Sequence, residues 1–166
     1  KKQKRYDDAM IIFTSDHGES FTERELWFDH GTEASEEQLH VPLIIKYPRN
    51  QYAGTKDNRL VALKDVFPTV LEVVEGKKHR NSLLRKAEHN RILMGESSHC
   101  KRIPVLNCAP RGPVGKVYSL RTATHTLVRR NTNRGVTYMY YDRNKDLVEQ
   151  QPLATEPPKE LQEKLD

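Results

Sequence analysis

The sequence predicts an α/β fold: an incomplete mixed sheet in residues 1–76, then a small C-terminal antiparallel β subdomain with a terminal helix. Three observations carry this. Two short, almost wholly apolar runs read as buried strands, a helical pattern follows the second, and beyond residue 91 short β-type segments alternate with turn residues. Residues 77–90 are polar and basic, and read as a linker or insertion between the two parts.

Ala9-Met10-Ile11-Ile12-Phe13-Thr14-Ser15 is an apolar run that ends in small polar residues. That composition predicts a strand buried on both faces, the kind found inside parallel sheets. Val41–Pro48 has the same length and β-branched content, with Pro42 tolerable only at the strand's beginning. The 25 residues between them are rich in Glu, Gly and His, with a helix expected near Ser35–His40. In Asp65–Gly76, Asp65 is read as the N-cap, Pro68 fits the first turn, and Gly76 is the stop. Apolar residues at 66, 67, 70, 71, 73 and 74 give that helix a broad buried face. Arg91–Met94, Val117–Arg121, Thr126–Arg130 and Val136–Tyr141 supply the strands of the small sheet. Leu161–Leu165 closes the chain with a helical turn after Pro157-Pro158. A doubly buried strand needs hydrogen-bonded neighbours and helices on both faces. Residues 1–76 supply two such strands and one clear helix, so strands preceding Lys1 are expected to be missing.

The 166 residues carry 28 Lys+Arg against 23 Asp+Glu, a net charge of +5. No apolar run approaches the ~18 residues of a spanning helix, and Lys1–Asp8 lacks a signal peptide's apolar stretch. A helical membrane protein and a self-targeting precursor are not expected, and the compartment stays open. Two cysteines exclude a disulfide scaffold. No aromatic residue interrupts the Lys/Arg of 77–91, so a stacking platform for nucleic acid is not expected either.

The chemistry concentrates in Phe13-Thr14-Ser15-Asp16-His17-Gly18-Glu19 and Phe28-Asp29-His30-Gly31. Asp16 and His17 fall just past the carboxyl end of a strand, where open α/β sheets place their ligand sites. A carboxylate and an imidazole side by side, with a Gly permitting close backbone approach, make half of a metal site. His30 lies 13 residues on, across a loop able to fold back over them. The plainer reading is a turn, with Asp16 capping backbone N–H groups.

These segments, with Val41–Pro48, resemble the later half of the sulfatase family in the alkaline phosphatase superfamily. Lys64–Leu71 resembles the helix that follows there, and Tyr140-Tyr141-Asp142 with Glu149 resembles the family's terminal stretch. The resemblance implies an alkaline-phosphatase-like sheet and a metal-dependent sulfuric ester hydrolase. Asp16 and His17 would be ligands of one divalent cation: calcium, manganese or magnesium, with zinc as a further option. His30 would contact the transferred group as a catalytic residue. The substrate implied is an anionic small-molecule or carbohydrate sulfate or phosphate ester. Family nucleophiles sit in a Cys/Ser-x-Pro-x-Arg motif, as formylglycine in most sulfatases, and belong to the missing N-terminal part.

Imidazole at His17, where many sulfatases carry Asn, is similar to the branch with phosphonate monoester hydrolases and phosphodiesterases. In a two-metal version of that branch His30 would itself be a ligand. Cys108-Ala109-Pro110-Arg111-Gly112 only approximates the nucleophile motif, with Arg one position early. Cys108 therefore reads as an ordinary thiol and Cys100 as structural, a bridge between them being an alternative. The chain by itself is expected to be inactive, and a purely structural fragment is the third reading. Glu19 is a candidate brace for His17. Lys46 reads as a snorkelling surface residue, with the site mouth as alternative. His40, His79, His89, His99 and His125 read as surface or satisfied residues, and Trp27 and Phe28 as loop packing. Arg111, Arg121, Arg129 and Arg130 either line an anionic-substrate pocket or are solvated strand positions.

Overall fold

The computed structural model describes residues 5–21, 28, 30–31, 33–86, 90–97, 116–132 and 135–166. A first unit holds α1 (Arg5–Asp8), β1 (Ile11–Thr14), α2 (Glu36–Leu39), β2 (Leu43–Lys46) and α3 (Val66–Glu75). A second holds β3 (Leu93–Ser97), β4 (Val117–Arg121), β5 (His125–Thr132), β6 (Gly135–Asp142) and α4 (Lys159–Gln162).

β1 and β2 form where the apolar runs place them, but they pair antiparallel, with Ile12 opposite Ile45 and Phe13 opposite Ile44. The double burial expected for them does not occur: Phe13 and Ile44 are each more than 60% exposed, and Ile11 is exposed beside them. Among the described residues β1 and β2 have only each other as sheet neighbours. Nothing described covers their apolar pair. Lys46, at the end of β2, is half-buried and turns back on α1. Its ammonium donates to the carbonyls of Tyr6, Asp7 (3.0 Å) and Ala9 (2.9 Å), satisfying orphan acceptors at the end of α1.

α3 runs from 66 to 75 and stops at Gly76, whose φ of 68° is the left-handed cap conformation that glycine adopts without strain. Asp65 does not cap it through its side chain. The fully buried Asp65 carboxylate instead accepts from the Ala62 N–H at 2.8 Å and from Arg91 at 2.7 Å. It ties α3 to the strand that follows, because an uncompensated charge there would be costly. The helix's buried face is also narrower than its apolar pattern implies, with Phe67 and Val74 exposed. The described part of the basic stretch, 77–86, packs on α3: Thr69 Oγ1 accepts from the Leu83 N–H at 2.8 Å and Arg85 pairs with Glu72.

The expected antiparallel sheet is present, in the order β3-β4-β5-β6. Its side chains alternate between two cores with the two-residue period of a strand. Val117, Val128 and Tyr141 pack on Ala34 from the loop before α2. Leu120 and Leu127 face the other way and receive Leu165, with Leu161 beside them. α4 begins two residues before the predicted turn, and its apolar end plugs that second core. No described helix is long and apolar enough to cross a membrane.

Candidate active site

The segment after β1 turns sharply under its own hydrogen bonds. The Ser15 hydroxyl donates to the His17 carbonyl at 2.7 Å, and the His17 N–H donates to Asp16 Oδ1 at 3.0 Å. Gly18 then passes against α2, its N–H donating to the Gln38 carbonyl at 2.8 Å. A Cβ at position 18 would stand 2.0 Å from the Glu37 carbonyl oxygen, so only glycine fits this approach.

The second loop is drawn in by one side chain. Gln38 is buried on α2; its amide nitrogen donates to Ser20 Oγ at 2.8 Å. Its carbonyl oxygen accepts from the N–H groups of Gly31 (3.0 Å) and Glu33 (3.3 Å). One amide thus staples the loop carrying His17 and Glu19 to the loop carrying His30. Ser97 of β3 adds a hydrogen bond to the Gly31 carbonyl.

The outcome is a close meeting of the predicted residues. The His17 and His30 rings stack with centroids 4.1 Å apart and 21° between their planes. One ligand atom each from His17, Glu19 and His30 lies within 4.8 Å of the others. His17 Nδ1 donates to the Gly18 carbonyl at 2.8 Å, which places the neutral ring's lone pair on Nε2. Asp16 Oδ1 stands 3.9 Å from that nitrogen, on a side chain that is 89% exposed. Hydrogen bonds from the backbone N–H groups of Asp16 and His17, with the neighbouring His17 ring, hold the Asp16 carboxyl below its ordinary range.

Glu19 does not brace His17. Its Oε2 meets His30 Nδ1 at 3.1 Å, the carboxylate–histidine arrangement that fixes a ring's orientation. Its other oxygen, Oε1, is buried with no hydrogen-bond partner among the described residues. Two imidazoles and a carboxylate with an orphaned oxygen suit a divalent cation of intermediate softness; Asp16 lies beside His17 but outside this three-residue group. Spacing alone points Glu19 at His17 and does not show that the loop carrying His30 folds back to meet it.

Behind the site, α2 is bolted to the small sheet. Glu36 receives Arg121 and, at 3.2 Å, Arg143; Glu149 reaches Arg121 at 3.1 Å and accepts from the Glu36 N–H at 3.1 Å. Burial pushes the Glu36 carboxyl up, but the charges of Arg121 and Arg143 outweigh that and hold it below its usual range. Arg130 pairs with Glu33 at 2.6 Å and Arg129 with Asp166 at 3.0 Å. Arg121, Arg129 and Arg130 are therefore ion-paired structural residues, neither a substrate pocket nor simply solvated. His40 and His79 pair with Glu36 and Glu75, and His125 stacks on Tyr140, the satisfied roles expected of them. Phe28 packs edge-on against Phe21 yet stays 73% exposed. Trp27, His89, His99, Cys100, Cys108 and Arg111 lie outside the described residues.

Against known proteins, the sulfatase family model matches residues 1–76. The multifunctional alkaline phosphatase superfamily protein PehA of Trinickia caryophylli is 39% identical over 77 residues, 46% of this chain and 15% of that protein. An ulvan-active sulfatase of Formosa agariphila is 32% identical over 72 residues, 43% of this chain and 11% of the relative. Residues 1–76, under half of the chain, are thus similar to the sulfatase family. The fold of the whole chain resembles that of BT4656, solved in complex with its substrate D-glucosamine-2-N,6-O-disulfate. The TM-score is 0.72 at 22% identity over 98% of this chain and 33% of that one. It also resembles BT1596, a 2-O GAG sulfatase, with a TM-score of 0.68 at 18% identity over 98% of this chain and 36% of the other. The chain thus spans about a third of these structures and a smaller share of the curated relatives it matches.

Proposed function

We propose that this chain is the C-terminal part of a metal-dependent sulfatase-like hydrolase acting on sulfate esters of carbohydrates. The observation that carries the reading is the convergence of His17, Glu19 and His30 within 4.8 Å, directly beside Asp16. Asp16 and His17 are the proposed ligands of one divalent cation, with the orphaned Glu19 oxygen as a third donor. Such a cation supplies Lewis-acid stabilisation of charge on the transferring group. His30, oriented through Nδ1 by Glu19, presents its other nitrogen to the substrate. As an imidazolium it would donate a hydrogen bond to a sulfate oxygen or pass its proton to the departing alkoxide. The nucleophile is assigned to chain outside these residues, which is why residues 1–166 are proposed to be inactive alone.

A second reading has His30 as a direct ligand of a second ion, in a phosphodiesterase or phosphonate monoester hydrolase. The stacked His17 and His30 rings favour it. Metal content separates the two, read with hydrolysis of p-nitrophenyl sulfate and p-nitrophenyl phosphate. Both are measured on the 166 residues and on a longer protein that contains them. One ion per chain and faster sulfate hydrolysis by the longer protein support the first reading. Two ions and faster phosphate hydrolysis support the second. Turnover by the 166 residues alone overturns the assignment of the nucleophile elsewhere.

A further inference from the structure

The loop that carries His30 is seated on a single row of the small sheet. Ser97 of β3 is the register partner of Val117 on β4, and Val117 is the partner of Arg130 on β5. Residues directly opposite one another share a sheet face, with Cβ atoms about 5 Å apart. All three side chains of this row meet the same short stretch of chain. The Ser97 hydroxyl donates to the Gly31 carbonyl. Val117 packs on Ala34, which is fully buried together with Val128 and Tyr141. Arg130 pairs with the buried Glu33 carboxylate at 2.6 Å. Within four residues after His30 the chain is therefore fixed three times, by neighbours in one cross-strand row.

This seating constrains the imidazole. Successive Cα atoms are only about 3.8 Å apart, so an anchor one residue away and another three residues away leave the His30 backbone little play. The ring has two close tolerances to keep. Its centroid lies 4.1 Å from that of His17, and its Nδ1 lies 3.1 Å from Glu19 Oε2. Gln38 holds the loop from the α2 side, through the N–H groups of Gly31 and Glu33. The row holds the same two residues from the sheet side, through the Gly31 carbonyl and the Glu33 carboxylate. Such double fixing matters because a misplacement of about 1 Å at a reacting group can cost on the order of 100-fold in rate.

We propose that Ser97 and Arg130 are positioning residues for His30, so that the C-terminal sheet sets where the imidazole stands. The consequence for rate rests on the functional reading above; the placement of the ring rests on the row itself. Placement is read on the full chain, with EDTA present, as the NOE between the carbon-bound ring protons of His17 and His30. Ser97→Ala removes one hydrogen bond and is expected to lose most of that NOE, whereas Ser97→Thr keeps a hydroxyl and should retain it. Arg130→Met strands the Glu33 carboxylate and should lose more. If that variant does not fold, Ser97→Ala carries the test. Tyr138→Phe takes a hydroxyl from the sheet's other core, where it bonds Asp166 at 2.6 Å, and should leave the NOE unchanged. In the longer protein Ser97→Ala should lower kcat for p-nitrophenyl sulfate about tenfold with KM within twofold, and Ser97→Thr should restore it. A full NOE in Ser97→Ala overturns the proposal whatever the rate does. An equal loss in Tyr138→Phe also overturns it, since general loosening then explains the effect. A longer protein that hydrolyses no sulfate ester overturns the functional reading and leaves the NOE to decide the placement.

Discussion

At the scale of single residues the site depends on a side chain that does no chemistry, Gln38, and on the bare backbone of Gly18. Gln38 holds Ser20, Gly31 and Glu33 at once, so Gln38→Ala leaves a buried hydroxyl and two N–H groups to find water. A loss of about 1–3 kcal/mol is expected in urea unfolding. The same variant should weaken Mn²⁺ binding in calorimetry, since the two histidine loops separate. Gly18 and Gly95 form a graded pair. A Cβ at 18 strikes backbone at 2.0 Å, whereas at 95 it meets the tip of Leu39 at 2.6 Å and Ser119 Oγ at 2.7 Å. Gly18→Ala should therefore lower the melting temperature more than Gly95→Ala, because a side-chain tip can yield and the α2 backbone cannot. The approach of His17 and His30 was legible in the sequence because two His-Gly pairs bracket one acidic loop between two strands. Gln38 was not, since a glutamine on a short helix carries no signal until its loops are in place.

At the scale of elements, α2 is only four residues long and too short to stand by helical propensity. It is held by buried charge: Glu36 and Glu149 share Arg121, and Arg143 adds to Glu36. Arg121→Met strands both carboxylates and should cost about 3–5 kcal/mol in chemical denaturation. Adding Glu36→Gln to it should cost less than the sum of the two single changes, as a double-mutant cycle would read. The pH response has a fixed sign. Glu36 is depressed in the folded chain, so its stabilisation is complete above its ordinary carboxylate range and fades as pH falls through that range. Unfolding midpoints measured at descending pH should drop there, and the drop should shrink in Glu36→Gln. The small sheet was readable strand by strand from its alternation and turn residues. The two N-terminal runs were readable as strands but not in their pairing, because an unbroken apolar run implies burial without saying which chain provides it.

For the whole molecule the consequence of that mismatch is a sticky surface. Phe13 and Ile44 form an exposed cross-strand pair beside Ile11, and Phe67 and Val74 are exposed on α3. Patches of this sort on soluble chains mark interfaces or association sites. The 166 residues alone should self-associate in sedimentation velocity, and Phe13→Ser/Ile44→Ser should shift them toward monomer. In the longer protein the same pair of changes should instead lower stability, if preceding chain covers the face as proposed. The binding loops also cannot reach their final geometry early in synthesis. Glu36 waits for Glu149, 113 residues downstream, before its helix is anchored. At ordinary elongation rates that gap lasts on the order of ten seconds. A ribosome stalled inside it would already have released Asp16, His17, Glu19 and His30 while the helix behind them still lacked its anchor.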